Sequence, residues 1–296
     1  MNEAMATQMR TGEGFIAALD QSGGSSPKAL RLYGVEESEY ASDAEMYDQI
    51  HAMRERIVTS DAFGGERVIG AILFEQTMDR DFAGKPAPAY LWEEKRVVPF
   101  LKVDKGLMDE ADGAQLMKDM GDLDGLLERA VQKGVFGTKM RSVIGAANLA
   151  GIRANVAQQF DYGRRIAAHG LVPILEPEVT ITIADKQEAE AMLLRSIMEA
   201  LEDWPEGTPI MFKVSLPSVD GFYAPLVQHP KVMRVVALSG GYARDEANAL
   251  LARNPGVIAS FSRGLTEGLT VQQDAAAFDA MLDASIGSIH AASVAG

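Results

Sequence analysis

The sequence predicts an α/β protein folded as a single closed (β/α)8 barrel over residues 1–296, on three observations. Eight short apolar runs are spaced along the chain. Stretches with helical periodicity lie between them, and ionisable or hydroxyl side chains gather where the runs end.

The eight runs are Phe15 to Leu19, Val68 to Phe74, Val97 to Val103, Val135 to Met140, Leu171 to Leu175, Pro209 to Val214, Met233 to Leu238 and Gly256 to Phe261. They are too short for helices and mostly continuous in hydrophobicity, as strands buried on both faces should be. Ala44 to Val58, Leu123 to Gln132, Ile152 to His169, Asp185 to Leu201 and Tyr242 to Arg253 carry apolar residues at three- and four-residue spacing among charges, the mark of amphipathic helices. Asp79 to Glu94, with Gly84, Pro86 and Pro88, reads as a surface loop leading into a short helix. Gln272 to His290 reads as a last helix and residues 291–296 as a short frayed tail. A doubly wound open sheet uses the same alternation, and the count of eight favours the closed barrel.

Composition narrows the function classes. An apolar fraction of 47% with 24% charged residues suits a chain that buries a full core. A formal net charge of -14 repels nucleic acid and anionic membranes, so neither is expected as a partner. There is no cysteine, which excludes disulfides, thiolate ligands and cysteine nucleophiles. Met1 to Thr11 is polar, with no apolar signal region, and no stretch reaches the ~18 apolar residues of a membrane span. A cytoplasmic protein is expected. His51, His169, His229 and His290 are far apart and mostly on helices or their ends, so no metal site is expected.

The strand ends carry Asp20, Glu75, Lys102, Lys139 with Arg141, Glu176 with Glu178, Lys213, Ser239, and Arg263 just beyond the eighth run. In a barrel the carboxyl ends of the strands form the catalytic face. Residues two apart on a strand share a face, so Lys139 pairs with Arg141 and Glu176 with Glu178. Adjacent strands are roughly 4.8 Å apart, which lets Lys139, Glu176 and Lys213 converge with the carboxylate between two amines. A lysine beside a second cation and out of water loses part of its preference for the ammonium form. A free amine adds to a ketone and forms an iminium that withdraws electrons from the neighbouring carbon-carbon bond, while a carboxylate shuttles protons. Lys213, Lys139 and Lys102 all qualify as that amine, and spacing does not choose between them.

Ser239-Gly240-Gly241 follows the seventh run and Ser262-Arg263-Gly264 the eighth. Loops at these positions in barrels often hold phosphate through backbone N–H groups, with arginine as a bidentate donor. A second cluster, Asp20-Gln-Ser-Gly-Gly-Ser-Ser26, offers donors for another phosphate, with Lys102 and Arg141 opposite. Neither a P-loop nor a Rossmann glycine motif is present.

Ala18-Leu-Asp-Gln-Ser-Gly-Gly24, Phe100-Leu-Lys-Val-Asp-Lys-Gly106, Gly137-Thr-Lys-Met-Arg141, Leu171-Val-Pro-Ile-Leu-Glu-Pro-Glu178, Met211-Phe-Lys-Val214, Val236-Ala-Leu-Ser-Gly-Gly241 and Ser260-Phe-Ser-Arg263 resemble, in order, the class I fructose-bisphosphate aldolases, and their bacterial branch most. The resemblance implies reversible cleavage of fructose 1,6-bisphosphate in glycolysis and gluconeogenesis through a lysine Schiff base, without metal or other cofactor. It implies Lys213 as the Schiff-base lysine and Glu176 as the main proton-transfer group, supported by Asp20, Lys139 and Glu178. Ser239, Gly240, Gly241 and Arg263 would hold one phosphate, and Ser22, Ser25, Lys102 and Arg141 would lie toward the other. Two departures stand out. Animal members end in a tyrosine that helps exchange a proton, whereas this chain ends Ser288-Ile-His-Ala-Ala-Ser-Val-Ala-Gly296, and Ser262 stands where they have glycine. Animal members are tetramers, so homo-oligomerisation is compatible with the resemblance. A Schiff-base aldolase for another sugar phosphate, and a sugar-phosphate-binding barrel without chemistry, are the competing readings.

Overall fold

Side-chain alternation on eight buried strands decides the architecture. The computed structural model describes residues 2–295. Its barrel strands, numbered one to eight in chain order, are Phe15–Leu19, Val68–Leu73, Val98–Lys102, Gly137–Ile144, Val172–Val179, Ile210–Ser215, Val232–Leu238 and Val257–Ala259. They pair in that order, and every neighbouring pair is parallel. The expected strands are therefore found, with four and five running several residues further toward their carboxyl ends.

Parity divides the apolar residues into two cores. Phe15, Ala17 and Leu19 point outward into the layer shared with the helices. Ile16, Ala18, Phe100, Ile174, Met211 and Val236 point inward and fill the barrel. Continuing the inward parity toward the carboxyl ends leads from Ala18 to Asp20, from Phe100 to Lys102, from Ile174 to Glu176 and from Met211 to Lys213. The same alternation that packs the barrel thus delivers charged groups to its mouth. Gly137 has a packing reason to lack a side chain: a Cβ there would lie 2.2 Å from the Val172 carbonyl oxygen and 2.8 Å from the Phe100 ring.

The helical layer includes Asp43–Thr59, Leu123–Gln132, Leu149–Ala168, Lys186–Glu202 and Arg244–Leu251, close to the periodic stretches in the sequence. Asp79 to Glu94 contains the short antiparallel pair Asp81–Phe82 and Lys85–Pro86, followed by helix Ala87–Glu93. No helix among the described residues is long and apolar enough to cross a membrane.

Two terminal segments differ from expectation. Residues 3–11, legible in the sequence only as polar, form helix Glu3–Thr11, capped by the Asn2 side chain. Its Met5, Ala6 and Met9 close the amino-terminal end of the barrel core. Arg234 fastens it by donating to the carbonyls of Met9 at 2.9 Å and Gly12 at 2.8 Å. At the other end, helix Ala275–Ser293 continues through Ala291, Ala292 and Ser293, so the frayed tail is corrected to the few residues after Ser293, of which Gly296 lies outside the described residues. The reason is burial at the barrel seam. Strands eight and one are joined by a hydrogen bond from the Ala18 N–H to the Phe261 carbonyl, and the buried Ala259 N–H donates to Ser293 Oγ at 3.0 Å.

Candidate functional site

A cavity of about 740 Å3 opens at the carboxyl ends of the strands. Seven cationic side chains line it, Lys28, Lys102, Lys105, Lys139, Arg141, Lys213 and Arg263, against four carboxylates, Asp20, Asp104, Glu176 and Glu178. A chain of net charge -14 therefore presents a mouth with an excess of positive charge, which favours entry of an anionic ligand.

At the base of the cavity Asp20, Lys139, Glu176 and Lys213 form one buried cluster. Lys139 Nζ lies 2.6 Å from Asp20 Oδ2 and 2.9 Å from Glu176 Oε2, and Lys213 Nζ lies 3.2 Å from Glu176 Oε1. The carboxylate does sit between two amines, as strand adjacency requires. The expectation that neighbouring amines discharge one another fails for Lys139. Burial disfavours its charge, but Asp20, Glu176 and Asp104 outweigh burial and hold its pKa above the ordinary lysine value. Burial likewise opposes ionisation of Asp20 and Glu176, yet Lys139 and Lys213 pull both below the usual carboxylate range.

Around this cluster Lys102 and Arg141 are each held by a carboxylate. Lys102 Nζ donates to Asp104 Oδ1 at 2.7 Å, and the Arg141 backbone N–H donates to Asp104 Oδ2 at 3.1 Å. Arg141 Nε donates to Glu178 Oε2 at 2.6 Å. Partial burial disfavours the charge of this arginine, and the Glu178 bond outweighs it and keeps the pKa above the ordinary value. Glu75 does not join the site. It begins the one-turn helix after strand two, and its carboxylate accepts from Lys105 at 2.7 Å and from Arg129.

The glycine and hydroxyl clusters reach the same cavity. Ser22, Ser25, Ser239, Gly240 and Arg263 line it. Ser25 Oγ accepts from the Ser22 N–H at 2.9 Å, a local tie that shapes the first loop. Gly240 and Gly241 turn with φ of 62° and 123°, in the region that favours glycine. Gly241 does not line the cavity but stands beside Arg263, whose Nη2 would lie 3.7 Å from a Cβ built there.

Sequence reasoning overlooked Gln21 and Asp104, which line the cavity, and Arg54, which is buried behind Gln21. Asp104 was within reach of the same-face rule, being two residues after Lys102. Arg54 carried a signal too: it is a cation on the apolar face of its helix, beside Met53 and Ile57, and is buried. Among the described residues no group of three or more His, Asp or Glu side chains is placed to hold a metal ion.

The chain is similar to known proteins along nearly its whole length. The family model described as Fructose-bisphosphate aldolase class-I matches residues 2–208, which stops short of Lys213. Full-length relatives extend past it. The "Fructose-bisphosphate aldolase class 1" of Porphyromonas gingivalis is 55% identical over 294 residues, covering 99% of this chain and 100% of the relative. The protein of the same description from Synechocystis is 54% identical over 293 residues, covering 99% and 98%. That from Clostridium acetobutylicum is 50% identical over 294 residues, covering 99% and 100%. A solved structure of fructose-bisphosphate aldolase from Plasmodium falciparum superposes with a TM-score of 0.79 at 23% identity over 99% of this chain and 94% of that one, which supports the fold. By profile, by full-length identity to bacterial relatives and by its barrel, this chain belongs to the class I fructose-bisphosphate aldolase family.

Proposed function

We propose that this chain cleaves fructose 1,6-bisphosphate reversibly to dihydroxyacetone phosphate and glyceraldehyde 3-phosphate, with Lys213 as the Schiff-base lysine and Glu176 as its proton-transfer partner. The observation that carries the reading is the asymmetry between the two amines on Glu176. Lys139 contacts two carboxylates and is held as a cation, whereas Lys213 contacts one carboxylate oxygen at 3.2 Å. Lys102 is engaged by Asp104. All three lysines line the cavity, and Lys213 is the one whose nitrogen has a single carboxylate oxygen beside it.

The chemistry follows from that placement. The Lys213 ammonium gives a proton to Glu176, and the free Nζ attacks the C2 carbonyl of the ketose. The carbinolamine loses water to form an iminium. A base removes the C4 hydroxyl proton, the C3–C4 bond breaks, the aldehyde leaves, and the bonding pair moves into the iminium to give an enamine. Protonation at C3 and addition of water then release the ketone and return Lys213. Lys139, fixed as a cation beside Asp20, stabilises negative charge on oxygen as it develops. Arg263 with Ser239, Gly240 and Gly241 would hold one phosphate, and Ser22, Ser25, Lys102 and Arg141 the other. Glu178 orients Arg141. The whole chain acts as one domain, and a cytoplasmic setting suits its cysteine-free sequence and its substrate.

Incubation with dihydroxyacetone phosphate and borohydride tests the assignment. The expected result is added covalent mass on the peptide containing Lys213, absent in Lys213→Met. An adduct on the Lys139 or Lys102 peptide, or none, would overturn it.

A further inference from the structure

Three buried or half-buried polar groups connect the two loops that flank the cavity. Arg54, from helix Asp43–Thr59, is 1% exposed and has no carboxylate within ion-pair distance among the described residues. Its Nη1 donates to Thr77 Oγ1 at 2.7 Å, and its Nη2 donates to the Gln21 carbonyl and lies 3.4 Å from Gln21 Oε1. Burial pushes the guanidinium down to about 10 while Asp20 opposes the shift, so it remains charged at neutral pH. A guanidinium has donors only, so the amide of Gln21 must turn its oxygen toward Arg54. Its nitrogen then faces the opposite way and donates to Ser262 Oγ at 2.6 Å.

Gln21 precedes Ser22 in the loop after strand one, and Ser262 precedes Arg263 in the turn after strand eight. A single hydrogen bond therefore spans 241 residues of sequence and ties together the two loops assigned to phosphate. Ser22 and Ser25 are hydrogen-bonded to each other, and Arg54 holds the Gln21 carbonyl to its own helix, so the Gln21 side chain is the hydrogen bond that sets this loop against the Ser262–Arg263 turn. We propose that Gln21 is a positioning residue: oriented by Arg54, it straps the Ser22–Ser25 loop to the Ser262–Arg263 turn and presets their spacing for a doubly phosphorylated substrate. Ser262 is the receiving end of the strap, which gives a role to a hydroxyl that its position beside Arg263 alone does not explain. The proposal rests on the reading that these loops hold phosphate. Preset donors need no rearrangement when the ligand arrives, so the benefit falls on binding.

The test is a double-mutant cycle on Gln21→Ala and Ser262→Ala, with KM and kcat for fructose 1,6-bisphosphate, inhibition by inorganic phosphate, and borohydride trapping of unphosphorylated dihydroxyacetone. Each single substitution is expected to raise KM and weaken phosphate inhibition about fivefold, the value of one neutral hydrogen bond. The double substitution should add little to either single one, because both remove the same bond. Trapping of dihydroxyacetone and kcat should stay within about twofold. Unchanged KM in both single variants, additive effects in the double, or an equal fall in dihydroxyacetone trapping would overturn the strap. Arg263→Met separates this from failure of the phosphate reading. If it leaves KM and phosphate inhibition unchanged, the phosphate assignment is wrong; if it raises KM and weakens phosphate inhibition and the strap variants do not, only the strap is.

Discussion

Replacing Lys139 by methionine removes the cation that two buried carboxylates share. In the native cluster Asp20 and Glu176 balance Lys139 and Lys213, and Lys139 supplies the shortest contact to each acid. Without it, Asp20 keeps no cation within ion-pair distance among the described residues and the cluster carries one uncompensated negative charge. Breaking a buried pair in this way costs about 3–5 kcal/mol. With an unfolding entropy of about 2.1 cal/mol/K per residue over 296 residues, that corresponds to a melting temperature lower by roughly 5–8 °C near neutral pH. Lys213→Met should cost less than about 2 kcal/mol, because both acids keep Lys139. The pH dependence has a definite sign. In the native protein both carboxyls are held below their unfolded values, so their stabilisation is present above a pH of about 4 and is lost as pH falls. In Lys139→Met one carboxyl is buried without a partner and its pKa rises. It then favours folding only when protonated, and that contribution is lost as pH rises. The deficit between variant and native protein must therefore shrink from about pH 7.5 to about pH 5, measured by urea or thermal unfolding at both. A deficit below about 1 kcal/mol, or one that does not change with pH, would refute the picture of Lys139 as the buried counter-ion.

Two further outcomes follow. Glu176→Gln keeps the shape of the side chain but removes the proton acceptor beside Lys213, and kcat should fall by about 10²–10⁴-fold in a coupled cleavage assay; a fall of less than about tenfold would assign proton transfer elsewhere. Ser293→Ala should lower unfolding free energy by about 1–3 kcal/mol, since the buried Ala259 N–H would lose its acceptor at the barrel seam, and urea titration would detect a smaller effect as evidence of another acceptor.

Much of the site was legible because inward parity on a strand is a local property. Lys102, Glu176 and Lys213 each lie two residues beyond an inward-facing side chain, and Lys139 two beyond Gly137, where a Cβ would meet the inward Phe100 ring, so knowing the strands was enough to gather them at one mouth. Glu75 shows the limit of that rule. It also follows a strand, but the chain turns there into a short helix and aims the carboxylate at Lys105 and Arg129. The helix at residues 3–11 was missed because its apolar face is only Met5, Ala6 and Met9, too brief to stand out against polar neighbours. The tail was misread for a similar reason: nothing local distinguishes a Ser293 that accepts a barrel N–H from one that frays into water.

The sequence by itself determined the strand count, the closed parallel barrel, the end of it that carries charge, and the family, because periodicity and local motifs are written in consecutive residues. Only the tertiary structure decided which partners each charge keeps. Three lysines are equal candidates when read along the chain. Across the barrel they differ, because Asp20 arrives from strand one to give Lys139 a second carboxylate, Asp104 occupies Lys102, and Lys213 is left with one oxygen of Glu176. Electrostatic energy depends on distances between groups far apart in sequence, and those distances exist only once the barrel has closed.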